Sequence, residues 1–150
     1  MISKKAKYAL KALLELGADY DTKKPVLISN LAERGRIPKK FLELILLELK
    51  NKGILESRKG KGGGYLLAKP PAQVMLGTIL RIIDGPLAPL PCLSQTAYRK
   101  CDECQDETHC SIRAVMKDLH DYQVNLLDNT SLEGMLEKGC AVAAVGNYAI

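Results

Sequence analysis

The sequence has no tryptophan, one phenylalanine and six tyrosines, so its core must be built mainly from aliphatic side chains. It also has no apolar run near the ~20 residues that a membrane-spanning helix needs. Lysines recur at positions 4, 5, 7 and 11, where a secretory signal peptide would be apolar. These absences predict a cytoplasmic protein without a membrane partner. In the cytoplasm, cysteines are more often ligands or sensors than disulfides.

Charge is distributed unevenly along the 150 residues. Residues 1–70 carry 16 Lys and Arg against 7 Asp and Glu, whereas residues 71–150 carry 6 against 10. A basic first half and an acidic second half are typical of a polyanion-binding region joined to a segment with another role. A solvated charge pattern without function would give the same counts, so the charge alone leaves both readings open.

Helical spacing of apolar residues predicts three helices in the basic half. The first spans about residues 4–19 and is capped by Ser3. The second is short, about 30–34, and is capped by Ser29. The third begins at Pro38 and ends at Gly53.

Two further features complete the predicted fold of this half. Gly35 lies in the turn before the third helix and is expected to take a positive φ. Residues 26–28 are predicted to be a short strand or an extended link, and two apolar runs around a glycine-rich basic loop, 59–64, predict a β-hairpin. The fold class is therefore mainly α with a small β-hairpin, arranged as a winged helix-turn-helix.

This order of elements points to double-stranded DNA, because a helix fits the major groove and a basic hairpin reaches the neighbouring backbone. A nucleotide-binding loop is not indicated, since no Gly-Lys-Ser/Thr follows the glycines and Tyr65 replaces the third glycine of a dinucleotide fingerprint. Glu43 could accept a hydrogen bond from cytosine N4 or pair with Lys39 one turn away. The residues predicted to contact DNA are Lys4, Lys39, Lys40, Glu43, Arg58, Lys59, Lys61, Gly62, Gly63 and Tyr65.

The acidic half is predicted to contain an amphipathic helix at 75–84, an irregular segment at 85–109, and a long helix that begins at Cys110. The long helix has an apolar seam with steps of 3, 4, 3 and 4, formed by Ile112, Val115, Leu119, Tyr122 and Leu126. Such a seam favours a homodimer interface, and burial within one chain is the alternative. Ser131 is predicted to cap a last short helix at 132–138.

The chain is accordingly divided into three regions. Residues 1–71 form the winged helix-turn-helix, and residues 72–138 contain the connecting helix, the cysteine segment and the long C-terminal dimerisation helix. Residues 139–150 form a tail to which the sequence assigns no role.

Four of the five cysteines fall within 19 residues, in the irregular segment and at the start of the long helix: Cys92, Cys101, Cys104 and Cys110. Cys101 and Cys104 form a C-x-x-C pair, and Cys110 lies where the helix dipole favours a thiolate. Four thiolates from a loop suit tetrahedral zinc and iron–sulfur clusters equally well, so spacing alone leaves the metal open. His109 could replace one thiol, although a loop histidine is more often simply solvated.

Several segments together resemble the Rrf2 family of bacterial transcription regulators over residues 1–138. The segments that carry the resemblance are Lys7-Tyr8-Ala9, Phe41-Leu42-Glu43, Gly62-Gly63-Gly64-Tyr65-Leu66-Leu67 and Cys110-Ser111-Ile112-Arg113. The resemblance implies a homodimer that binds promoter DNA and is not an enzyme. It also implies that the residue at Glu43 adjusts the choice of DNA sequence.

In cluster-bearing members of that family, three cysteines and a fourth residue hold a [2Fe–2S] or [4Fe–4S] cluster, and we expect [2Fe–2S] here. Cys92, Cys104 and Cys110 match the three cysteines, although the interval before Cys104 is longer than usual. The histidine that serves as the fourth ligand is replaced by Arg113, and the additional Cys101 is the expected substitute.

The sequence therefore predicts a repressor-type regulator that senses redox state, iron or nitric oxide. The alternative is a zinc- or thiol-dependent regulator, which resembles the clusterless branch that controls cysteine metabolism. A small thiol oxidoreductase using the C-x-x-C pair is disfavoured, because no βαβ frame, cofactor motif, acid–base pair or small-molecule substrate site is indicated.

Overall fold

The computed structural model describes residues 2–146, with side chains through residue 142. The first helix, α1 (Lys4–Ala18), is capped as predicted, because the Ser3 hydroxyl accepts a hydrogen bond from the Ala6 amide at 2.9 Å. Its alanine- and leucine-rich face is buried, with Ala9 and Leu13 fully inaccessible to solvent. This helix forms the centre of the core.

The helix-turn-helix consists of α2 (Ile28–Gly35) and α3 (Lys39–Asn51). The predicted cap of α2 is wrong: the helix begins before Ser29, and Leu27 stands at its N-cap without a side-chain hydrogen bond. The positive φ expected at Gly35 lies instead on Arg36, at +50°. Gly35 is buried, and a Cβ there would lie 2.8 Å from Ile37 Cδ1, so a larger residue would displace the end of that side chain.

The predicted hairpin is confirmed as β1 (Leu55–Arg58) and β2 (Gly64–Leu67), antiparallel, with Leu55 opposite Leu67. Of the extended segment predicted at 26–28, only Val26 pairs. Its amide and carbonyl exchange hydrogen bonds with Tyr65 at 2.8 and 2.9 Å. A Cβ on Gly64 would overlap the Val26 carbonyl, so glycine permits this close approach. The wing is thereby fixed to the start of α2.

Three helices follow the wing: α4 (Leu76–Asp84), α5 (Ser111–Asp128) and α6 (Leu132–Gly146). The segment between α4 and α5 is irregular, as predicted, apart from one 3-10 turn at Pro91–Leu93. The last helix does not end at Lys138 but continues to Gly146, into the predicted tail. The rest of that tail, 147–150, and Met1 lie outside the described residues.

One hydrophobic core joins the two halves of the chain. It extends from α1 through α3 and α4 to Leu127 and Leu132, and so crosses the predicted boundary at residue 71. Backbone hydrogen bonds reinforce the junction, because the Leu132 amide donates to Val74 at 2.8 Å and the Leu76 amide donates to Thr130 at 2.9 Å. Within residues 2–146, no helix is long and apolar enough to cross a membrane.

Candidate DNA-binding surface and cysteine loop

The N-terminal part of α3 presents its polar side chains to solvent. Lys39, Lys40 and Glu43 are all exposed, while Leu42 and Leu46 on the opposite face are fully buried. Among the described residues Glu43 forms no ion pair, so the alternative pairing with Lys39 is not made. Its carboxylate is therefore available to accept a hydrogen bond from a partner.

The tip of the wing is basic and exposed at Arg58, Lys59 and Lys61, with Gly62 exposed beside them. The other two wing residues predicted to contact DNA occupy different positions. Gly63 is buried inside the turn, where its amide donates to Gly60 at 3.0 Å. Tyr65 is half-buried and carries the backbone pairing with Val26, so its visible role is to support the wing.

The start of α1 lies beside α3. Lys4 is exposed, and its Nζ lies 5.8 Å from the centre of the Tyr8 ring, a cation–π distance. Tyr8 in turn meets the Phe41 ring edge-on, with centroids 5.7 Å apart. This contact connects Lys4 to the N-terminal end of α3, so Lys4 extends the basic surface of the helix-turn-helix.

The four clustered cysteines lie between α4 and α5, a segment that we call the cysteine loop (residues 88–110). Cys92 is buried in its 3-10 turn, Cys101 is exposed, and Cys104 is half-buried. The Cys104 amide donates to the Cys101 carbonyl at 3.1 Å, which makes the C-x-x-C pair a tight turn. Cys110 stands at the N-cap of α5, where its sulfur accepts a hydrogen bond from the Arg113 amide at 3.4 Å.

Three of these thiols are close enough to influence one another. Partial loss of hydration, followed by the effects of Cys92, Cys104 and Glu103, raises the pKa of the Cys101 thiol above its ordinary value. Within the described part of the chain, however, no three Cys, His, Asp or Glu side chains are placed to hold a metal ion. The chemistry of the four thiols fits a zinc ion or an iron–sulfur cluster, but the loop must rearrange to bring them around one.

Several polar residues near the end of the cysteine loop are hydrogen-bonded to one another. His109 Nδ1 lies 2.5 Å from Asp106 Oδ2, and the pKa of Asp106 is lowered to about 2, chiefly by the Thr108 hydroxyl and then by His109. The Tyr98 hydroxyl donates to Glu107 at 2.5 Å. His109 is therefore already hydrogen-bonded to a carboxylate, and its side chain is less free than the cysteines to bind a metal.

The apolar seam of α5 faces away from the rest of the chain. Ile112, Val115, Leu119, Tyr122 and Leu126 are between 50% and 71% exposed, whereas Leu127 on the other side of the helix is buried in the core. Burial within one chain, the alternative drawn from the sequence, is thus wrong. A stripe of five exposed apolar residues on one helix marks a surface that another helix can cover.

An ion pair that the sequence analysis missed joins α4 to the end of α5. Arg81 donates two hydrogen bonds to Asp128, at 2.6 and 2.9 Å, and these bonds hold the pKa of Asp128 below its ordinary value. Gly77 makes room for the pair, because a Cβ there would overlap the carboxylate. Residues 47 positions apart gave no sequence signal of this contact.

A helix-turn-helix with a basic wing, joined through one core to a helix with an unpaired apolar seam, defines the class of winged-helix transcription regulators. The model of the Rrf2 family, described as an iron-dependent transcriptional regulator, matches residues 2–138. The chain belongs to the Rrf2 family, whose members are transcription regulators that bind DNA, and not enzymes.

Individual relatives agree with this assignment. An rrf2-like HTH-type transcriptional regulator of Rhodobacter capsulatus is 48% identical over 141 residues, covering 93% of this chain and 94% of its own. The HTH-type transcriptional regulator IscR of Cronobacter sakazakii is 28% identical over 87% of this chain and 76% of its own. The structure is similar to that of CymR, the global cysteine regulator of B. subtilis, with a TM-score of 0.77, 25% identity, and coverage of 92% and 97%.

Proposed function

We propose that this regulator acts as a cytoplasmic homodimer that binds promoter DNA through α3 and the wing and senses redox state, iron or nitric oxide through an iron–sulfur cluster in the cysteine loop. The observation that carries the proposal is that four cysteines lie in one loop leading directly into the seam helix α5, with Cys92 and Cys104 close enough to affect the Cys101 thiol. Thiolates are the usual ligands of such clusters. The iron-dependent description of the family supports the same metal.

Each cysteine has a distinct structural position in this proposal. Cys92 is buried and anchors one end of the loop, whereas Cys101 and Cys104 lie on its more exposed turn. Cys110 lies at the positive end of the α5 dipole, which favours its thiolate form. Together these four residues would hold a [2Fe–2S] rather than a [4Fe–4S] cluster, with Cys101 in place of the histidine that Arg113 replaces. The cluster would supply a redox-active iron centre whose loss or chemical change is the signal.

The loop can pass this signal to DNA through the helices at its two ends. Because no three of these side chains are placed to hold a metal ion among the described residues, ligation would require the loop to rearrange. Cys110 begins α5, which carries the seam that we assign to the homodimer. A shift there would alter the relation between two protomers and hence between their two recognition helices.

The cluster is tested by anaerobic purification of the full chain, followed by a visible spectrum and by measurement of iron, acid-labile sulfide and zinc per chain. We expect a brown protein that contains iron and sulfide. Cys101→Ser should lose much of the iron, whereas Cys140→Ser should not, because Cys140 lies on α6 outside the cysteine loop. A colourless protein that binds one zinc per chain even after reconstitution with iron and sulfide would refute the cluster.

The alternative is a zinc- or thiol-dependent repressor with the same DNA-binding surface. It is favoured by the similarity to CymR, the global cysteine regulator of B. subtilis. Zinc in place of iron in the same measurement would support this alternative and leave the DNA-binding assignment intact.

A further inference from the structure

The recognition helix carries two exposed leucines among its polar residues. Leu44 is 64% exposed and Leu47 is 48% exposed, although Leu42, Ile45, Leu46 and Leu49 of the same helix are fully buried. Leucine is among the residues most often buried, so its exposure on a surface expected to bind a polyanion is informative.

The two leucines share one face of α3 with the predicted DNA contacts. Leu44 lies four residues after Lys40, and Leu47 lies four residues after Glu43, so these side chains occupy neighbouring positions on the exposed face of α3. Lys39 and Lys40 lie at the N-terminal end of this face, and the basic wing provides further cations. The leucines therefore adjoin the basic N-terminal end of α3.

The chemistry of the major groove contains one apolar group that such side chains can recognise. Among the four bases only thymine presents a methyl group there, at C5, whereas the other base edges present hydrogen-bond donors and acceptors. Glu43, which lies next to Leu44, can accept a hydrogen bond from the N4 amino group of cytosine. Both groups belong to pyrimidines.

We propose that Leu44 and Leu47 are specificity-determining residues that contact thymine methyl groups, and that with Glu43 they select thymine and cytosine at the positions in each half-site that α3 contacts. This inference rests on the proposed insertion of α3 into the major groove. The surrounding cations favour DNA over a protein as the occupant of this face, because they complement phosphates on either side of the groove.

The probe is a duplex that the full chain selects from a random-sequence pool of double-stranded DNA. Thymines in one half-site are then replaced one at a time by deoxyuridine, which removes the C5 methyl and keeps the pairing and the hydrogen-bonding groups. We expect the affinity of the unaltered protein to fall about fourfold for each contacted thymine, the effect of losing one buried methyl group.

Two variants and a matched control complete the test. Leu44→Ala and Leu47→Ala should each bind the thymine and deoxyuridine duplexes equally at the position that the missing side chain contacts. Leu27→Ala removes another exposed leucine, 51% accessible, that lies outside α3, and should keep the discrimination. All three substitutions are at exposed positions, so folding should be preserved.

The outcomes separate this inference from the proposed function. Salt-dependent binding to the selected duplex without discrimination against deoxyuridine would overturn the inference and leave DNA binding intact. Discrimination that persists in both variants would also overturn it. If the variants instead changed the sedimentation of the free protein, this face would be a protein interface and the inference would be wrong. Failure to select any duplex would overturn both proposals.

Discussion

The exposed seam of α5 gives the sharpest quantitative prediction about assembly. Leu119 and Leu126 are 53% and 50% exposed in the protomer. Complete burial of a leucine side chain contributes about 2 kcal/mol, so covering the exposed half contributes about 1 kcal/mol per side chain. In a twofold dimer each residue occurs twice. Leu119→Ala is therefore expected to cost up to about 2 kcal/mol of dimer stability, or about a 30-fold increase in Kd.

The assay is analytical ultracentrifugation of the full chain over a range of concentrations. The double variant Leu119→Ala with Leu126→Ala should weaken dimerisation by about 10³-fold if the two effects add. Aspartate at both positions should leave only monomers, because the interface would then bury unpaired charges.

Leu27→Ala is the matched control, since its side chain is as exposed as that of Leu126 but lies away from the seam. It should leave the Kd of the dimer unchanged. A dimer that survives the aspartate double variant would show that another surface holds the protomers together and that the seam has a different partner.

Three further predictions concern DNA binding, backbone geometry and pH. Lys59→Ala should lower affinity for all duplexes alike and reduce the slope of log K against log salt by about one, measured by fluorescence anisotropy; an unchanged slope would remove Lys59 from the interface. Gly64→Ala should lower the free energy of unfolding, measured with denaturant, by at least about 2 kcal/mol, because its φ is +151° and its Cβ would overlap the Val26 carbonyl. Gly139→Ala is the control: it lies in open space within α6, so the substitution should be neutral or stabilising. The hydrogen bonds from Arg81 lower the pKa of Asp128, so their contribution to the free energy of unfolding is full above about pH 4 and is lost as the pH falls through the lowered pKa. Asp128→Asn should therefore reduce the loss of stability at acid pH. An unchanged dependence of stability on acid pH would contradict this assignment.

Elements specified by local pattern were predictable from the sequence. The Ser3 cap, the third helix and the two-stranded wing all follow from periodicity and turn chemistry, and all are present. The seam of α5 was likewise visible as a heptad pattern, and its outward orientation in the protomer agrees with that pattern.

Features that depend on contacts between distant segments were missed or misplaced. The start of α2 follows the pairing of Val26 with Tyr65 across the fold, which local capping rules for Ser29 do not include. The positive φ of the turn falls on Arg36, whereas Gly35 lies against the Ile37 side chain.

The end of α6 was misplaced for a different reason. A glycine such as Gly139 costs a helix only about 1 kcal/mol, and the alanine-rich segment that follows favours helix, so α6 continues past the predicted stop. For the cysteine loop, the sequence predicts which thiols are available but not their arrangement, because ligation geometry depends on the metal itself.

The packing of α6 back across α1 has a mechanical consequence. Leu132 and Leu136 lie against Gly17, at distances that leave no room for a larger residue without displacement, so the last helix closes the core around the first. The winged helix-turn-helix is thus packed against the C-terminal helices and is not joined to them by a flexible linker. In the proposed homodimer, a change at the start of α5 would therefore turn each protomer as a single body, and the spacing between the two DNA half-sites would be the quantity that the signal controls.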